Sequence, residues 1–584
     1  MFKHIHLGNF KAFSQTQTIP LRPLTLIFGP NSSGKSSLIH GLLFAHEALT
    51  NEESDNLDVK RPRIGGDSVD LGGFRQFVHR RNMENRVEWG VTIDTSLLPG
   101  RIGELLKAVK EITISLHIGL TKIKDRDIIV VQSYELQTGE NSLLRASLKR
   151  DAEQFRMGLD ELDYENELIK TTIDAIIETA TTTDKLSKQD MAFVSDSIDK
   201  LVPSLSLKMG NFLPNGILFP QSFKPQKEQF SFFPISKGDR QEDLSQAIEF
   251  FLPRTLNDLI KGLNDVVTVN LKKLRYLGPL RSYPSRHVAF SQEYDTNWYA
   301  GGGSAWDKVR EDVTIREKVN AWLSDETRMK TPYELQIVSM SDSAALESEF
   351  WTTLETVFAQ IQSRDPESEI TTTTPEPSQL SLFPDHERTE QLELLLAERG
   401  ETNIFDLLKS KDYEGAIDLI RRMFQEKIKV PGINDLRFID KRTNTEVSHR
   451  DIGIGVSQVL PVLVAAFGAK DEIHTMEQPE LHLHPALQAE LGDVFIEAAL
   501  NNNNTFILET HSEHIILRLL RRIRETTAKK NKATPPIKPE DVCLLYCKPT
   551  AEGSELMQIR IDKHGRLIDQ CPDGFFEEDF KELF

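Results

Sequence analysis

Length, composition and charge limit the kinds of protein that this chain can be. It has 584 residues, 39% hydrophobic and 27% charged, which is typical of a soluble protein with about two to four domains. We find no run of about 18 apolar residues, which argues against a membrane-spanning helix, and the start lacks the apolar stretch of a signal peptide. Three cysteines favour a reducing compartment over a disulfide framework, so we expect a cytoplasmic protein. The formal charge of −19 gives no general attraction for DNA, so DNA binding would need a local basic patch.

The first segment with a clear chemical meaning follows two short predicted strands. Residues 3–8 alternate polar and apolar side chains, which predicts an edge strand, and the apolar run from Leu24 to Phe28 predicts a buried one. The next eight residues, G-P-N-S-S-G-K-S from Gly29 to Ser36, fit the phosphate-binding pattern G-x-x-x-x-G-K-[ST]. We expect a helix to begin at about Lys35, so the motif lies between a strand and a helix, as a phosphate-binding loop requires.

Each residue type in this loop has a physical reason. Gly29 and Gly34 permit backbone conformations that a Cβ would forbid, so that consecutive N–H groups can point at a phosphate. The N-terminus of the following helix favours an anion. The Lys35 ammonium can reach the terminal phosphates, and the Ser36 hydroxyl can ligate Mg²⁺.

The region after the first helix predicts an antiparallel sheet. Gln76 follows a glycine pair in a short loop. Three β-branched segments separated by charged or glycine-containing stretches then read as strands, at residues 87–95, 112–120 and 128–136.

The middle of the chain changes character at about residue 150. Residues 151–200 are acidic and predict helices, residues 203–234 predict an irregular segment, and residues 363–388 form the best linker candidate. Further predicted helices lie at residues 244–263, 315–323, 346–362 and 391–427. We therefore divide the chain into an N-terminal lobe (1–150), a helix-rich insertion (151–430) and a C-terminal lobe (431–584).

The last third returns to short apolar segments that end in polar residues. A glycine-rich turn at residues 451–457 opens an apolar helix, and a serine there, Ser457, can bind an anion, although on these residues alone a plain capped helix is the better interpretation. Two apolar strands end near Met476 and Leu508, next to Glu477 and His511. Ligands of parallel α/β sheets bind outside the carboxyl ends of strands, so we expect the strand ends at Phe28, Met476 and Leu508 to converge.

Other clusters have simpler interpretations. Glu480, His482 and His484 could suggest a metal site, but a third placed ligand and an open geometry are needed. Cys543 and Cys547 lie in a predicted strand and read as core thiols. Two groups of cations could be either solvated faces or a DNA patch. The first is Lys272, Lys273, Arg275, Arg281 and Arg286; the second is Arg518, Arg521, Arg522 and Arg524.

With these residues in view, the chain resembles the ABC-type ATPases of the SMC, RecF and OLD group. The matching segments are N-F-K at 9–11, the loop at 29–36, the Gln76 loop, G-I-G-V-S-Q at 453–458, E-Q-P-E-L-H-L-H-P at 477–485 and T-H-S at 510–512. The tail, at 559–569 and 574–578, resembles stand-alone bacterial AAA-family members. The resemblance implies an α/β fold, an ABC-type P-loop ATPase head of mixed sheet and helices split by a helix-rich insertion.

The resemblance also implies roles for individual residues and a head-to-tail dimer that sandwiches ATP. In such a dimer, Ser457 would act on ATP held by the second copy, and His511 would contact the γ-phosphate. The implied nucleotide-binding residues are Asn31, Ser32, Ser33, Gly34, Lys35, Ser36, Ser37, Gln76, Gly455 and Ser457. The implied Mg²⁺ ligands are Ser36, Gln76 and Glu477. The implied catalytic residues are Glu477, Gln478, Glu480 and His511.

One position departs from the family pattern. Members usually carry two acidic residues before the proline, and the second is the base that activates water. Here the second position is Gln478, whose amide can orient a water but cannot accept its proton. Glu480 is a possible substitute. We therefore expect slow hydrolysis, with ATP mainly holding the dimer closed.

Three functions follow as hypotheses. The first is an ATP-gated sensor or scaffold of bacterial anti-phage defence that recruits or restrains a separate nuclease, by analogy with the ATPase of the Septu systems. The 73 residues after His511 look too few for the nuclease domain that OLD-type proteins append. The alternative is a RecF-like repair ATPase that binds DNA directly. A transporter nucleotide-binding subunit is the third, and the long middle insertion argues against it.

Overall fold

The structure is a computed structural model that describes residues 2–50, 59–123, 126–151, 154–180, 188–210, 212–220, 240–281, 297–340, 433–449, 451–531 and 533–572. The strands are β1 (Phe2–Gly8), β2 (Gln17–Pro20), β3 (Leu24–Phe28), β4 (Val87–Asp94), β5 (Glu111–Ile123), β6 (Arg126–Thr138), β7 (Asn141–Asp151), β8 (Gln154–Leu162), β9 (Leu205–Met209), β10 (Pro214–Pro220), β11 (Leu274–Leu277), β12 (Tyr333–Met340), β13 (Ile433–Asp440), β14 (Thr445–Val447), β15 (Ile473–Glu477), β16 (Thr505–Glu509), β17 (Val542–Pro549) and β18 (Ser554–Ile559). The α-helices are α1 (Lys35–Thr50), α2 (Phe74–Phe77), α3 (Gly100–Leu105), α4 (Glu167–Ala180), α5 (Lys188–Leu201), α6 (Arg240–Lys272), α7 (Gly303–Glu311), α8 (Val313–Ser324), α9 (Ile454–Phe467), α10 (Pro485–Asn502) and α11 (Glu513–Thr527).

The chain divides into two compact units. The first contains Met1–Leu335 and Phe438–Phe584, and the second contains Gln336–Arg437. Of the second unit, only residues 336–340 and 433–437 are described. The two large sheets and the candidate site belong to the first unit.

The larger sheet has nine strands in the order β10-β9-β8-β7-β6-β5-β4-β1-β2. Its neighbouring strands are antiparallel throughout. The three predicted strands in residues 87–136 are confirmed as β4, β5 and β6. The prediction of an edge strand at residues 3–8 is wrong, because β1 lies between β4 and β2 and its polar side chains have partners there. His6, for example, lies 2.8 Å from the Thr92 hydroxyl through Nε2.

The same sheet continues past residue 150. Strands β8, β9 and β10 lie where the sequence predicted helices and an irregular segment. The long helix α6 confirms the prediction for residues 244–263, and α8 confirms the one for residues 315–323. The predicted helices at 346–362 and 391–427, the linker at 363–388, Arg286 and the tail segment at 574–578 lie outside the described residues.

The smaller sheet has six strands in the order β11-β15-β16-β3-β17-β18. The first five are parallel and β18 is antiparallel to β17. Every residue of β3, β15 and β16 is buried, as expected for parallel strands covered on both faces, whose sequences are almost continuous apolar runs. The central strand β3 therefore carries the phosphate-binding loop between β16 and β17.

A hydrophobic core joins the two sheets. Helix α1 is buried on most of its surface, and its side chains share a core with residues of the nine-stranded sheet and with Ile27, Ile507 and Leu545 of the smaller sheet. An aromatic group strengthens this contact: the ring centroids of Phe44 and Phe77 are 5.3 Å apart. A third, small sheet has the order β12-β13-β14. Among the described helices, none combines the length and apolar character that crossing a membrane requires.

Candidate nucleotide-binding site

The loop between β3 and α1 has the backbone that its glycines allow. Gly29 has φ +141° and Gly34 has φ +94°, values that favour glycine. A Cβ at Gly29 would lie 2.6 Å from the carbonyl oxygen of Cys547, and one at Gly34 would collide with the Ala12 side chain. The helix begins at Lys35, as predicted. The loop is therefore shaped by close contact with β17 and with the segment around Ala12.

The Lys35 side chain is folded over its own loop. Its ammonium donates hydrogen bonds to the carbonyls of Gly29, at 3.1 Å, and Pro30, at 2.8 Å. Burial lowers the pKa of Lys35, and the nearby carboxylates of Glu509 and Glu480 act against this. A cation that is largely removed from water gains more from an anion nearby than an exposed one does.

Two carboxylates end neighbouring strands beside this loop. Glu477 closes β15 and Glu509 closes β16, and the two are register partners. Burial, together with the charge of Glu477, raises the pKa of Glu509 to about 7, although the Ser36 hydroxyl donates a hydrogen bond to it. The sequence analysis identified Glu477 but missed Glu509. The available signal was the same one, an acidic residue directly after an apolar strand.

Glu477 is held by side chains from two other parts of the chain. The Tyr276 hydroxyl, at the end of β11, donates a hydrogen bond to Oε1 of Glu477 at 3.0 Å. His40 Nε2 lies 3.5 Å from the same oxygen, and the Lys11 ammonium lies 2.5 Å from His40 Nδ1. Because an ammonium can only donate, Nδ1 accepts and Nε2 carries the proton that faces Glu477. Burial lowers the pKa of Lys11 to about 8.

Gln478, Glu480 and His511 lie at the same edge. Gln478 has φ +46°, and its N–H donates to the Glu509 carbonyl at 2.8 Å. Glu480 is buried, and its Oε1 accepts a hydrogen bond from the His511 N–H at 2.7 Å. Burial raises the pKa of Glu480. For His511, burial and then the charge of Lys35 lower the pKa, so the neutral imidazole is favoured.

These contacts bring together the strand ends that the sequence predicted would converge. Strands β3, β15 and β16 are parallel neighbours. The loop residues Asn31, Ser32, Ser33 and Ser37 accompany Lys35 and Ser36 at the end of β3. The site is therefore composite, since its parts come from the two ends of the chain.

Three predicted site residues are placed differently. Gln76 is exposed in α2, close to Gly72 and Gly73, and within the described residues it makes no hydrogen bond to Ser36 or Glu477. Ser457 is 3% exposed, and its hydroxyl donates to the His449 carbonyl at 2.9 Å. Gly455 lies near the His482 carbonyl. The solvent-exposed residues at the start of α9 are Gly453 and Ile454, rather than Ser457.

The residues present fit a Mg²⁺-nucleotide. The loop backbone is one that a Cβ would obstruct. Two buried oxygens beside it, Ser33 Oγ and Glu509 Oε2, have no hydrogen-bond partner within the described part of the chain. Carboxylate and hydroxyl oxygens are the ligands that Mg²⁺ prefers, so Ser36, Glu477 and Glu509 would hold the metal. Bound there, Mg²⁺ would neutralise phosphate charge, while Lys35 and the loop N–H groups bind the phosphates.

Comparisons with known proteins support this chemistry. A family described as "AAA domain" matches residues 4–261, and one described as "AAA ATPase domain" matches residues 355–516. Both descriptions are of AAA-type domains, so the chain carries segments similar to an AAA-type ATPase at residues 4–261 and 355–516. The sheet topology and these two matches agree with the predicted ABC-type P-loop fold. Residues 537–584 match a family described as a protein of unknown function (DUF3696).

Individual relatives of this ATPase are distant. A stretch of 44 residues is 50% identical to the chromosome partition protein Smc of Synechococcus sp., and covers 7% of this chain and 4% of that protein. The chain thus matches a small part of that curated relative. A solved Smc head bound to the C-winged helix domain of ScpA has 10% identity and a TM-score of 0.33, covering 96% of this chain and 99% of that chain. The SMC head domain from Thermotoga maritima has 8% identity and a TM-score of 0.31, covering 96% and 99%. TM-scores this low add nothing to the description of the fold.

In the first basic cluster, Lys273, Arg275 and Arg281 make internal ion pairs or hydrogen bonds. Lys273 pairs with Asp471, and Arg275 pairs with Glu472 at 2.7 Å. Arg281 is buried and donates to the carbonyls of Gln458, at 3.2 Å, and Gln478, at 3.0 Å. Burial lowers the pKa of Arg281 to about 10. Arg281 thus connects the start of α9 to the loop after β15.

The second basic cluster, on α11, is also largely paired. Arg518 and Arg522 both contact Asp493, at 2.6 Å and 2.5 Å, and Arg521 contacts Glu525 at 2.7 Å. The two ion pairs with Asp493 fasten α11 to α10, and the pair of Arg521 with Glu525 lies within α11. They favour the interpretation as a structural, solvated face over that of a DNA patch.

His484, one of the residues that could suggest a metal site, and Cys547, interpreted as a core thiol, both have local structural roles. His484 accepts a hydrogen bond from the Ala486 N–H through Nδ1, at 3.3 Å, and so caps α10. Cys547 is buried, and its thiol donates to the Ser33 carbonyl at 2.8 Å. Burial raises the pKa of Cys547 to about 11, which keeps the thiol protonated and unreactive.

Proposed function

We propose that this protein is a Mg²⁺-dependent ATPase that forms an ATP-closed head-to-tail dimer and serves as the sensor or scaffold of a bacterial anti-phage system. In this proposal the dimer recruits or restrains a separate nuclease encoded nearby. One observation carries the ATPase part: the parallel strands β3, β15 and β16 place Lys35, Glu477 and Glu509 at one edge of the sheet.

The proposed division of labour follows from the contacts. Lys35 and the loop N–H groups bind the β and γ phosphates. Glu477, oriented by Tyr276 and His40, holds the metal or its water ligands. His511, favoured as the neutral imidazole, donates to the γ-phosphate or exchanges a hydrogen bond with the attacking water.

Slow turnover is part of the proposal. Gln478 holds the position where a carboxylate base is expected, and an amide can orient water without accepting its proton. The His511 N–H engages Oε1 of Glu480, so Glu480 could act as a base only through Oε2, which has no hydrogen-bond partner within the described residues. Long-lived ATP favours a role in assembly rather than in rapid hydrolysis.

The surface at the start of α9 supports a second copy as partner. Ile454, at the first position of this helix, is 46% exposed, and an exposed apolar side chain beside a glycine turn is suited to a protein contact. Because the Ser457 hydroxyl bonds within its own chain, we propose that the exposed N-terminal residues of α9 make the first contact with the second copy.

Native mass determination tests the dimer. We expect a dimer with Mg-ATP and a monomer with ADP, and a monomer in both conditions for Lys35→Ala. Ile454→Glu should weaken the dimer by about tenfold or more, because it buries a charge. Ile568→Glu, at a position 56% exposed elsewhere on the surface, is the matched control. A dimer that ignores nucleotide, or one that both glutamate variants weaken equally, would contradict the proposal.

Phage challenge tests the biological role. Cells that carry the gene with its neighbours should resist infection, and Lys35→Ala should abolish this resistance. The wild-type protein purified from such cells should bring down a nuclease, and the association should depend on ATP. Full protection by this chain alone would refute the effector part and leave the ATPase part intact.

A further inference from the structure

A cavity of about 810 Å³ lies against the outer strand of the six-stranded sheet. We call it the β11 cavity. It is enclosed by strands β11 and β15 on one side and by helices α7 and α9 on the other. This volume is in the range of about 300 to 1,000 Å³ that small-molecule sites occupy. It is distinct from the phosphate-binding loop, which lies across β15 and β16.

The wall of the β11 cavity is mostly apolar and partly aromatic. Leu277, Pro461, Val464 and Met476 supply aliphatic surface. Trp298 is fixed in orientation because its indole N–H donates to Asp307 at 3.0 Å. Flat, fixed aromatic walls favour planar ligands, which stack on them with little loss of conformational freedom.

A buried polar atom on this wall lacks a partner. His474 is 3% exposed, and within the described residues its Nε2 makes no hydrogen bond. Burial, with the charges of Arg275 and Lys308, lowers the pKa of His474 to about 3. The ring is therefore neutral, and the Glu472 carboxylate at 3.7 Å is too distant for a hydrogen bond. An unmet buried hydrogen-bonding group is costly, and a bound ligand would satisfy it.

The rim carries one cation that protein carboxylates do not neutralise. Lys308 is exposed and lines the cavity, and it forms no ion pair with any residue that the structure describes. The other charged groups of the lining have partners: Arg63 pairs with Glu47, Arg275 with Glu472, and Asp307 with Arg310. The electrostatic preference of the rim is therefore for an anion.

Tyr276 connects this cavity to the ATPase site. Its ring lines the cavity, and its hydroxyl donates to Glu477 at 3.0 Å. Pro461 and Val464 belong to α9, whose start is the proposed dimer contact. A ligand bound against these residues would therefore shift both the Tyr276–Glu477 hydrogen bond and the start of α9.

We propose that the β11 cavity binds a flat, largely apolar small molecule with one anionic group, and that its occupancy regulates ATP turnover through Tyr276. The binding part stands on the cavity alone. The regulatory part rests on the proposed ATPase function.

The probe for the binding part is 8-anilinonaphthalene-1-sulfonate, which is flat, apolar and anionic. We expect saturable fluorescence with one site per chain. Ala465→Trp fills the cavity and should weaken binding at least about tenfold, while Ala528→Trp, at an exposed position outside it, should not. The absence of a saturable site, or equal binding by the two tryptophan variants, would overturn the proposal.

A second pair of variants tests the charge and avoids the risk of misfolding. Lys308→Ala should weaken the sulfonate probe about two- to fivefold, the effect of one exposed ion pair, and Lys318→Ala, an exposed lysine on α8, should not. The uncharged analogue N-phenyl-1-naphthylamine should bind both variants equally. Equal loss of both probes in Lys308→Ala would show that no anion is recognised there.

Turnover tests the regulatory part. The probe should change wild-type ATP turnover by about twofold or more, while Tyr276→Phe should still bind the probe but lose this response. If wild type hydrolyses ATP and the bound probe has no effect, the regulatory part is wrong. If wild type neither binds nor hydrolyses ATP, the proposed function fails, whereas the fluorescence results still decide the binding part.

Discussion

In the two large sheets of the first unit, the pKa values of two glutamates are shifted in opposite directions. In the nine-stranded sheet, burial pushes the pKa of Glu135 upward, but hydrogen bonds outweigh it, among them one from Arg145 at 3.0 Å, and the pKa lies below its ordinary value. In the six-stranded sheet, burial and Glu477 raise the pKa of Glu509 to about 7. One carboxylate is satisfied within its sheet, and the other is left poised beside a phosphate-binding loop. This difference distinguishes a carboxylate with a structural role in the nine-stranded sheet from one at the candidate site of the six-stranded sheet.

The largest effect should come from the core of the scaffold. Leu116 in β5 is fully buried, so Leu116→Ala should cost about 2 to 5 kcal/mol of unfolding free energy. ATP affinity should stay within about twofold, because β5 belongs to the nine-stranded sheet, whereas the strands that carry the site belong to the six-stranded sheet. Urea unfolding and calorimetric titration measure the two quantities. A large loss of affinity in a folded Leu116→Ala protein would show that the sheets do not act independently.

The pH dependence of stability should differ between the two carboxylates. Because folding raises the pKa of Glu509 to about 7, its stabilising contribution is complete below the unfolded pKa and is lost as the pH rises through 7. Gln does not titrate, so Glu509→Gln does not undergo this loss. Between pH 5 and pH 8, its free energy of unfolding should therefore rise by on the order of 3 kcal/mol relative to that of wild type.

Glu135→Gln is the matched control for this measurement. Since the pKa of Glu135 is lowered, its contribution is lost only as the pH falls through the folded pKa. The variant should therefore keep the wild-type slope between pH 5 and pH 8 in urea unfolding. Equal slopes for all three proteins would remove the contrast between the sheets.

Removing the loop cation should affect binding and leave folding nearly unchanged. Lys35→Ala should weaken ATP binding by about 10- to 100-fold, since hydrogen bonds to charged groups contribute about 1.5 to 3 kcal/mol. Lys107→Ala, at an exposed position in the other sheet's connection, is the control. Titration calorimetry with Mg-ATP provides the affinities, and unchanged affinity in Lys35→Ala would exclude this loop as the phosphate site.

The smallest effect should be a gain. Gln478→Glu restores a proton acceptor at the position that the resemblance assigns to the base, and should raise turnover by about tenfold, which is less than the roughly 100- to 10,000-fold typical of general-base catalysis. Gln488→Glu, on α10, is the matched control. Steady-state phosphate release measures it. Brisk wild-type hydrolysis with no gain in Gln478→Glu would refute the slow-turnover proposal.

The local features of the fold could be predicted from sequence, and the non-local ones could not. The loop at 29–36 and the strands β3, β15 and β16 follow from apolar runs and from the glycine, lysine and serine pattern. The interior position of β1 depends on pairing with β2 and β4, which no local pattern specifies. Strand β8 was missed because it lies in a stretch whose acidic composition favoured helices, and β9 and β10 were missed because the proline- and phenylalanine-rich segment around them favoured irregular structure.

The same limit applies to the site. Lys35, Ser36, Glu477, Glu480 and His511 lie where the sequence predicted. Tyr276 contacts Glu477 although the two residues are 201 positions apart in the sequence. His40 contacts the same carboxylate from helix α1. The inward direction of the Ser457 side chain is set by the His449 carbonyl, so periodicity alone could not show it. The roles of these residues in catalysis remain predictions.

The contact between the phosphate loop and β17 has a consequence for biosynthesis. The Cys547 thiol meets the Ser33 carbonyl across 514 positions, and the Cys547 carbonyl packs on Gly29. The ribosome therefore releases the loop long before the strand that braces it. At about 5 to 20 residues per second, roughly half a minute to two minutes separate the two events. Nascent chains pass through this interval with an unbraced loop, so a nucleotide bound at the loop could stabilise the fold only after β17 has been synthesised.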